Sequence, residues 1–137
     1  MTTRAQRTHR LLSLQEQLLR VERWRLLDLQ RRAAELDTER RELIAALNES
    51  DALQGLFLDA TARRLRSIEQ QADVIGRQEQ TQLAHVREYA SRVACAERLS
   101  ETVDRQAARE REKKSQLDVI ERLVGSATPA SGKIDPT

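Results

Sequence analysis

The sequence predicts an all-α fold, in which two long helices form an antiparallel coiled-coil hairpin with a longer C-terminal helix and a disordered C-terminal tail. Apolar residues recur at alternating spacings of three and four, which is the repeat of a coiled coil. Aromatic residues make up 2% of the chain and charged residues 34%, a composition typical of long helices rather than of a compact core. Residues that end helices cluster in two places, at 48–55 and after Gly125.

The second helix is the longer one and is predicted at about 56–124. From Leu58 to Val124 the chain has no proline and one glycine, Gly76. A helix of about 65 residues is about 100 Å long, and a narrow seam of this kind needs another helix to cover it, from this chain or from a second one. Gly125 is a suitable C-cap. The two rows of the seam are Ile68, Ile75, Gln82, Tyr89, Ala96, Val103, Glu110, Leu117 and Val124, and Leu58, Leu65, Ala72, Glu79, Val86, Val93, Ser100, Ala107 and Lys114.

The first helix is predicted at about 4–47. Thr3 and Gln6 fit a capping box, in which each side chain accepts a hydrogen bond from the other residue's backbone N–H. The apolar side slips by one residue near Trp24, which is either a partner contact or packing across the hairpin groove. That side is formed by Leu11, Leu14, Leu18, Val21, Leu26, Leu29, Ala33, Leu36, Leu43 and Leu47.

The turn is predicted at about 48–55, where Asn48 can end one helix and Ser50 or Asp51 can cap the next. Gly76 is a weaker candidate for a break between helices, because the apolar rows keep the same spacing before and after it. The hairpin therefore spans 1–125. The tail 126–137 holds both prolines and is mostly small and polar, which predicts disorder.

Folding the helices at this turn pairs residues whose numbers total about 103, since both helices rise about 1.5 Å per residue. The start of the first helix then lies opposite the region of Ser100, and the second helix continues beyond that point for about 25 residues, or about 37 Å. Nothing in the hairpin is expected to cover the apolar residues beyond that point. Such a stripe indicates a binding surface; the alternative is a frayed helix that tolerates a few apolar residues.

The same end of the hairpin is basic, because the first ten residues contain arginines and no acid. We expect it to dock into an acidic or carbonyl-rimmed cavity, although a solvated charged helix end is the alternative. The apolar tip beside the turn is expected to bind a second partner or to cap the hairpin internally. The candidate residues are Arg4, Arg7, Arg10, Val103, Arg109, Lys113, Lys114, Leu117, Ile120 and Val124 at the helix ends, and Leu53, Leu56 and Phe57 at the tip.

Catalytic and metal-binding patterns are absent from the sequence. His9 and His85 are far apart and no Cys/His ligand set exists, which argues against zinc. Cys95 has no base partner and is expected to be a semi-buried thiol in a cytosolic protein. No glycine-rich phosphate loop, dense basic zipper segment, signal peptide or membrane span is found. The chain is predicted to be a cytoplasmic, non-enzymatic protein that takes no cofactor, binds no nucleic acid and inserts into no membrane.

Three stretches support a family resemblance: 11–19, then Leu56-Phe-Leu with Leu65, Ile68 and Gln71, and finally Arg105 to Ile120. On these the chain resembles the flagellar export protein FliJ and the YscO-type stalk proteins of type III secretion. Those proteins are small, charged, aromatic-poor helical hairpins with a longer C-terminal helix. The resemblance extends over nearly the whole chain.

The resemblance implies a stalk that couples an export ATPase to its gate. The paired helix ends would enter the hexameric export ATPase, and the tip would meet the export-gate membrane protein; the family also handles export chaperones. The protein would lie in the cytoplasm or peripherally at the inner face of the cell membrane, in bacterial flagellum biogenesis or a dedicated secretion system. The alternative is a coiled-coil scaffold, unrelated to export, that self-associates through the same seam.

Overall fold

The computed structural model describes the backbone of residues 3–49 and 56–131, and the side chains of residues 3–49 and 57–126. Helix α1 spans Arg4–Glu49 and helix α2 spans Leu56–Ser131. The two helices pack against each other as a hairpin in which the C-terminal helix is longer, which confirms the predicted all-α fold. The part of the predicted tail at 132–137 lies outside the described residues.

Helix α1 begins as predicted, at a reciprocal capping box. The backbone N–H of Thr3 donates to Gln6 Oε1 at 3.0 Å, and the backbone N–H of Gln6 donates to Thr3 Oγ1 at 3.2 Å. The helix ends at Glu49, two residues beyond the predicted end near Leu47. Asn48 does not end it, because asparagine terminates helices less often than glycine does. Residues 50–55 of the predicted turn lie outside the described residues.

Helix α2 does not end at Gly125, so the prediction of a C-cap there is wrong. The helix continues to Ser131, through residues assigned from the sequence to the disordered tail. Gly125 has no left-handed backbone angle, which a glycine C-cap requires. A glycine in a helix costs only about 1 kcal/mol relative to alanine, which is too little to stop a long helix by itself. The helix also passes through Gly76, as expected.

The contacts of the chain divide it into two units. One, here called the terminal unit, consists of Met1–Leu12 with Cys95–Thr137, and the other, the central unit, is Ser13–Ala94. Each unit takes part of its structure from α1 and part from α2, and each is described by itself below.

In the central unit the helices pair in the predicted register. Arg64 Nε donates to Glu39 Oε1 at 2.6 Å, and Gln82 Nε2 donates to the backbone carbonyl oxygen of Glu22 at 2.9 Å. The residue numbers of these pairs total 103 and 104, against the predicted 103. Ile68 is the most buried side chain of those described, with 1% exposed.

The predicted seam of α2 is confirmed through most of the central unit. Leu58 and Ala72 are exceptions, since both are exposed, and buried Thr61 takes the position closest to the helix start. The buried and half-buried members of the predicted rows in this unit are Leu65, Ile68, Ile75, Glu79, Gln82, Val86, Tyr89 and Val93.

The predicted seam of α1 is correct from Leu26 onward; before it, Leu18 is half-buried and the other predicted members are exposed. No slip occurs at Trp24: the spacing of three and four continues without interruption towards the N-terminus, so that Leu14 and Val21 are exposed. The polar residues Gln15 and Glu22 take the core positions instead. The apolar residues from Leu26 onward determine which side of the continuous helix faces α2, and Gln15 and Glu22 lie on that side. Gln82 donates a hydrogen bond to Glu22 across the seam. The resulting core positions are Gln15, Leu19, Glu22, Leu26, Leu29, Ala33, Leu36, Leu43 and Leu47.

Candidate partner-binding surface

The terminal unit packs the first turns of α1 against α2. His9 Nε2 lies 3.0 Å from both carboxylate oxygens of Asp104. Thr8 is buried beside this pair on α1, as is Ser100 on α2, and Ala5 is half-buried. The start of α1 therefore covers the segment of α2 that follows Ser100.

Val103 is buried, with 3% exposed, which corrects the expectation that nothing covers it. The numbers of His9 and Asp104 total 113 rather than 103, so α1 reaches further along α2 than equal spacing from the turn predicts. Ala107 is half-buried for the same reason. Val103 therefore belongs to the packing of the hairpin, and it is also one of the residues that line the groove described below.

The uncovered part of α2 begins after Ala107, and every side chain from 108 to 126 is exposed. The predicted residues Leu117, Ile120 and Val124 lie here, each with more than half of its surface exposed. Val119 and Leu123 are exposed as well and were not among the candidates. Together these five residues are called the overhang patch.

Val119 and Leu123 lie off the two heptad rows, as Ile120 does, and were not predicted as candidates. In this segment the rows carry the charged residues Glu110 and Lys114 and the apolar residues Leu117 and Val124. The signal that was available is the i,i+4 spacing of Val119 with Leu123 and of Ile120 with Val124, which places four apolar residues on one side of a helix.

A groove of about 590 Å³ lies in the terminal unit where α1 begins. Its charged lining consists of Arg4 from α1 and Glu110, Arg111 and Lys114 from α2, which is three cations and one anion. The structure thus brings the predicted residues Arg4 and Lys114 to one groove, together with Arg111, whose Nε donates to the Ala107 carbonyl oxygen at 3.4 Å. The other predicted cations, Arg7, Arg10, Arg109 and Lys113, are exposed and are not part of its lining.

The predicted tip residues are described only in part. Leu53 and the side chain of Leu56 lie outside the described residues. Phe57 has an exposed side chain, as the prediction of an apolar tip requires, and its carbonyl oxygen accepts a hydrogen bond from Thr61 Oγ1 at 2.8 Å. Whether this position binds a partner stays a prediction.

Cys95 is exposed, which corrects the expectation of a semi-buried thiol. It lies between the seam positions Val93 and Ala96, one residue off the row, and so points away from the buried side. In the described part of the chain no three histidine, cysteine or acidic residues lie together as metal ligands would. Over the same residues, neither helix holds a stretch that is both long and apolar enough to cross a bilayer.

These observations define a two-helix hairpin that leaves a basic groove and an apolar helix surface uncovered. Comparison with family models, curated proteins and solved structures finds no match for this chain.

Proposed function

We propose that this protein is a non-enzymatic stalk that couples a hexameric export ATPase to its gate in a flagellar or type III protein export apparatus. The observation that carries the proposal is the overhang patch on α2. Five large apolar side chains within eight residues stay exposed on a helix that is otherwise rich in charge. A patch of that kind on a water-exposed helix is typical of a protein-binding site.

The groove beside the start of α1 supports docking through charge. Arg4, Arg111 and Lys114 surround it, and arginine is the cation best suited to bidentate pairing with carboxylates at an interface. An acidic or carbonyl-rimmed cavity in the ATPase ring would pair with these cations while the overhang patch contributes the apolar contact. The family resemblance, which rests on sequence alone, identifies the ring as the partner.

The opposite end of each helix is assigned to the export-gate membrane protein, for which exposed Phe57 is the described candidate. Export chaperones complete the set of partners. The protein acts in the cytoplasm and peripherally at the inner face of the cell membrane, held there by its partners. It uses no cofactor.

A pull-down with the cognate export ATPase tests the proposal. In the variant Leu117→Asp/Ile120→Asp, two carboxylates replace apolar contacts of the overhang patch, and binding is expected to fall by about 100-fold. Val74→Asp is the matched control, because Val74 is also an exposed apolar residue of α2 and lies in the central unit. Both variants should keep the helical circular dichroism of the wild type. Equal binding by all three proteins would refute the stalk.

The second candidate function is a self-associating coiled-coil scaffold, and the same overhang patch favours it because a second copy could cover these residues. The scaffold forms stable oligomers at nanomolar concentration and has no effect on any ATPase. The stalk instead stimulates or binds its ATPase without forming such oligomers. Sedimentation at high dilution, followed by the pull-down, therefore separates the two candidates.

A further inference from the structure

The groove where α1 begins is formed by both helices of the terminal unit. Thr3, Arg4 and Ala5 form the α1 wall, and the α2 wall lies between Val103 and Lys114. Its volume of about 590 Å³ is within the range of about 300–1,000 Å³ that is usual for ligand pockets. The groove therefore exists only while the first turn of α1 is packed against α2.

The floor of the groove is apolar. Val103 closes it from below and is buried, with 3% exposed, so the accessible part of the floor consists of Ala5 and Ala107, which are half-buried. Because both are alanines, their side chains do not fill the space between the two helices. An apolar side chain that enters the groove is removed from water on this floor, which favours its burial there.

The rim of the groove carries four charged residues, Arg4, Glu110, Arg111 and Lys114. Within the part of the chain that the structure describes, none of the four takes part in an ion pair. Arg111 Nε donates to the Ala107 carbonyl oxygen at 3.4 Å, which leaves the two terminal nitrogen atoms of its guanidinium for another acceptor. Three cations and one anion thus surround a concave site with no partner of their own.

The residues around the rim add to its positive charge. Over residues 3–12 and 103–114 the chain has eight arginines and lysines against three acids, although the whole chain carries a net charge of only +2. Of these acids, Asp104 is already paired with His9, whose Nε2 lies 3.0 Å from both of its carboxylate oxygens, and Glu112 does not line the groove. This end of the hairpin therefore attracts an anion, and arginine in particular binds carboxylates through two parallel hydrogen bonds.

The shape and the charge of the groove restrict its occupant. A concave site is filled by a segment that protrudes from its partner, such as a loop. A second copy related by a two-fold axis would present the same residues, so two rims rich in cations would face each other. Like charges that meet across an interface oppose association. The occupant that fits is therefore an acidic segment of a different protein.

We propose that the groove binds a protruding acidic segment of the partner protein. Two carboxylates of that segment pair with Arg4, Arg111 and Lys114, and an apolar side chain between them lies on Ala5 and Ala107. The identity of the partner rests on the proposed function, whereas the chemistry of the segment follows from the groove. The overhang patch is a separate contact, so the partner both covers α2 and inserts into the groove. Because one wall belongs to α1, the bound segment also holds the first turn of α1 on α2.

Short fluorescent peptides with Glu-Leu-Glu or Gln-Leu-Gln at their centre are the probes, and fluorescence anisotropy with the full chain measures their binding. The Glu-Leu-Glu peptide is expected to bind about 10-fold more tightly, because only its carboxylates form ion pairs with the rim. The preference should shrink as salt is added, since the cations of the rim are exposed. Equal binding of the two peptides by the wild type, or binding of neither, would overturn the proposal.

Substitution of the cations locates the binding. Arg111→Gln/Lys114→Gln should remove most of the preference for Glu-Leu-Glu. Arg109→Gln/Lys113→Gln is the matched control, because it removes the same two residue types from the same segment, neither residue lines the groove, and the preference should remain. Circular dichroism checks that both variants stay helical, as expected for glutamine at exposed helix positions. An equal loss of the preference in the two variants would overturn the proposal, because the general positive charge and not the groove would then attract the peptide.

Hydrogen exchange at the first turns of α1 tests the contribution of that helix. Exchange should slow as the Glu-Leu-Glu peptide saturates the site, and it should slow less with Gln-Leu-Gln at the same concentration. Binding without slower exchange would contradict a site that has one wall on α1. The ATPase pull-down answers for the stalk separately. Normal ATPase binding without peptide preference overturns the groove proposal alone, and intact peptide preference without ATPase binding overturns the stalk alone.

Discussion

Gln82 of α2 binds Glu22 of α1 twice. Its side-chain amide donates to the backbone carbonyl oxygen of Glu22 at 2.9 Å and also donates to the carboxylate of the same residue. Glu22 is buried in the seam, with 8% exposed, and accepts a further hydrogen bond from Arg25 at 3.0 Å. The buried carboxylate finds its partner across the seam, Gln82, only in this register, so the contact favours the register of the central unit.

Removing one member of this pair should destabilise the hairpin more than removing both. Gln82→Leu leaves the buried carboxylate of Glu22 without its partner across the seam, and the free energy of unfolding should fall by about 1–3 kcal/mol. Glu22→Leu/Gln82→Leu replaces the pair by apolar side chains and should be close to wild type or more stable. Urea unfolding measures both. A double variant less stable than Gln82→Leu would contradict this account of the pair.

Ile68 should be the most sensitive single position in the central unit. Ile68→Ala removes the most completely buried side chain of those described and should lower the free energy of unfolding by about 2–5 kcal/mol. Val74→Ala on the same helix serves as the control, because Val74 is exposed and its truncation should change stability by less than about 0.5 kcal/mol. Similar losses in the two variants, measured by chemical denaturation, would mean that Ile68 is not a core residue.

Val103 should act on stability and not on partner binding. Val103→Ala removes two buried methyl groups where α1 begins and should reduce the free energy of unfolding by about 1–3 kcal/mol. Hydrogen exchange at the first turns of α1 should become faster. Leu117→Ala is the control, since Leu117 is exposed and its truncation should leave both measurements unchanged. Weaker ATPase binding by Val103→Ala, with unchanged stability, would mean that Val103 contacts the partner.

A distance measurement within the terminal unit checks the packing of α1 on α2. Cys95 is the only cysteine and is exposed, so it takes a spin label directly. Arg10→Cys supplies an exposed second site and leaves the buried Thr8 intact. The two labels should lie about 15–25 Å apart, the spacing of packed helices plus the label length.

The distance should persist when the doubly labelled protein is diluted with unlabelled protein, because both labels belong to one chain. The singly labelled wild type, carrying only Cys95, is the control for distances between chains. A short distance that disappears on dilution would mean that the helix facing Cys95 comes from another copy.

The heptad spacing was sufficient to predict the buried side of α2, because nearly every position of its two rows from Leu65 to Ala107 is apolar or small. A long row of that kind lies on one side of a helix, and that side is the one that is buried. The capping box at Thr3 and Gln6 was predictable for a similar reason, since it depends on residues three positions apart. The register of the central unit followed from helical rise alone.

The sequence by itself therefore determined two helices, both ends of α1, the start of α2, most of the seam of α2 and the charged, aromatic-poor surface. The tertiary structure alone decided which of two rows of α1 faces α2. Local pattern favoured Leu14, Leu18 and Val21 because they are more apolar than Gln15 and Glu22. The buried side is instead set by the downstream core and by Gln82, 60 positions from Glu22 in the chain. That long-range contact buries polar residues in the seam and leaves the apolar stripe outside.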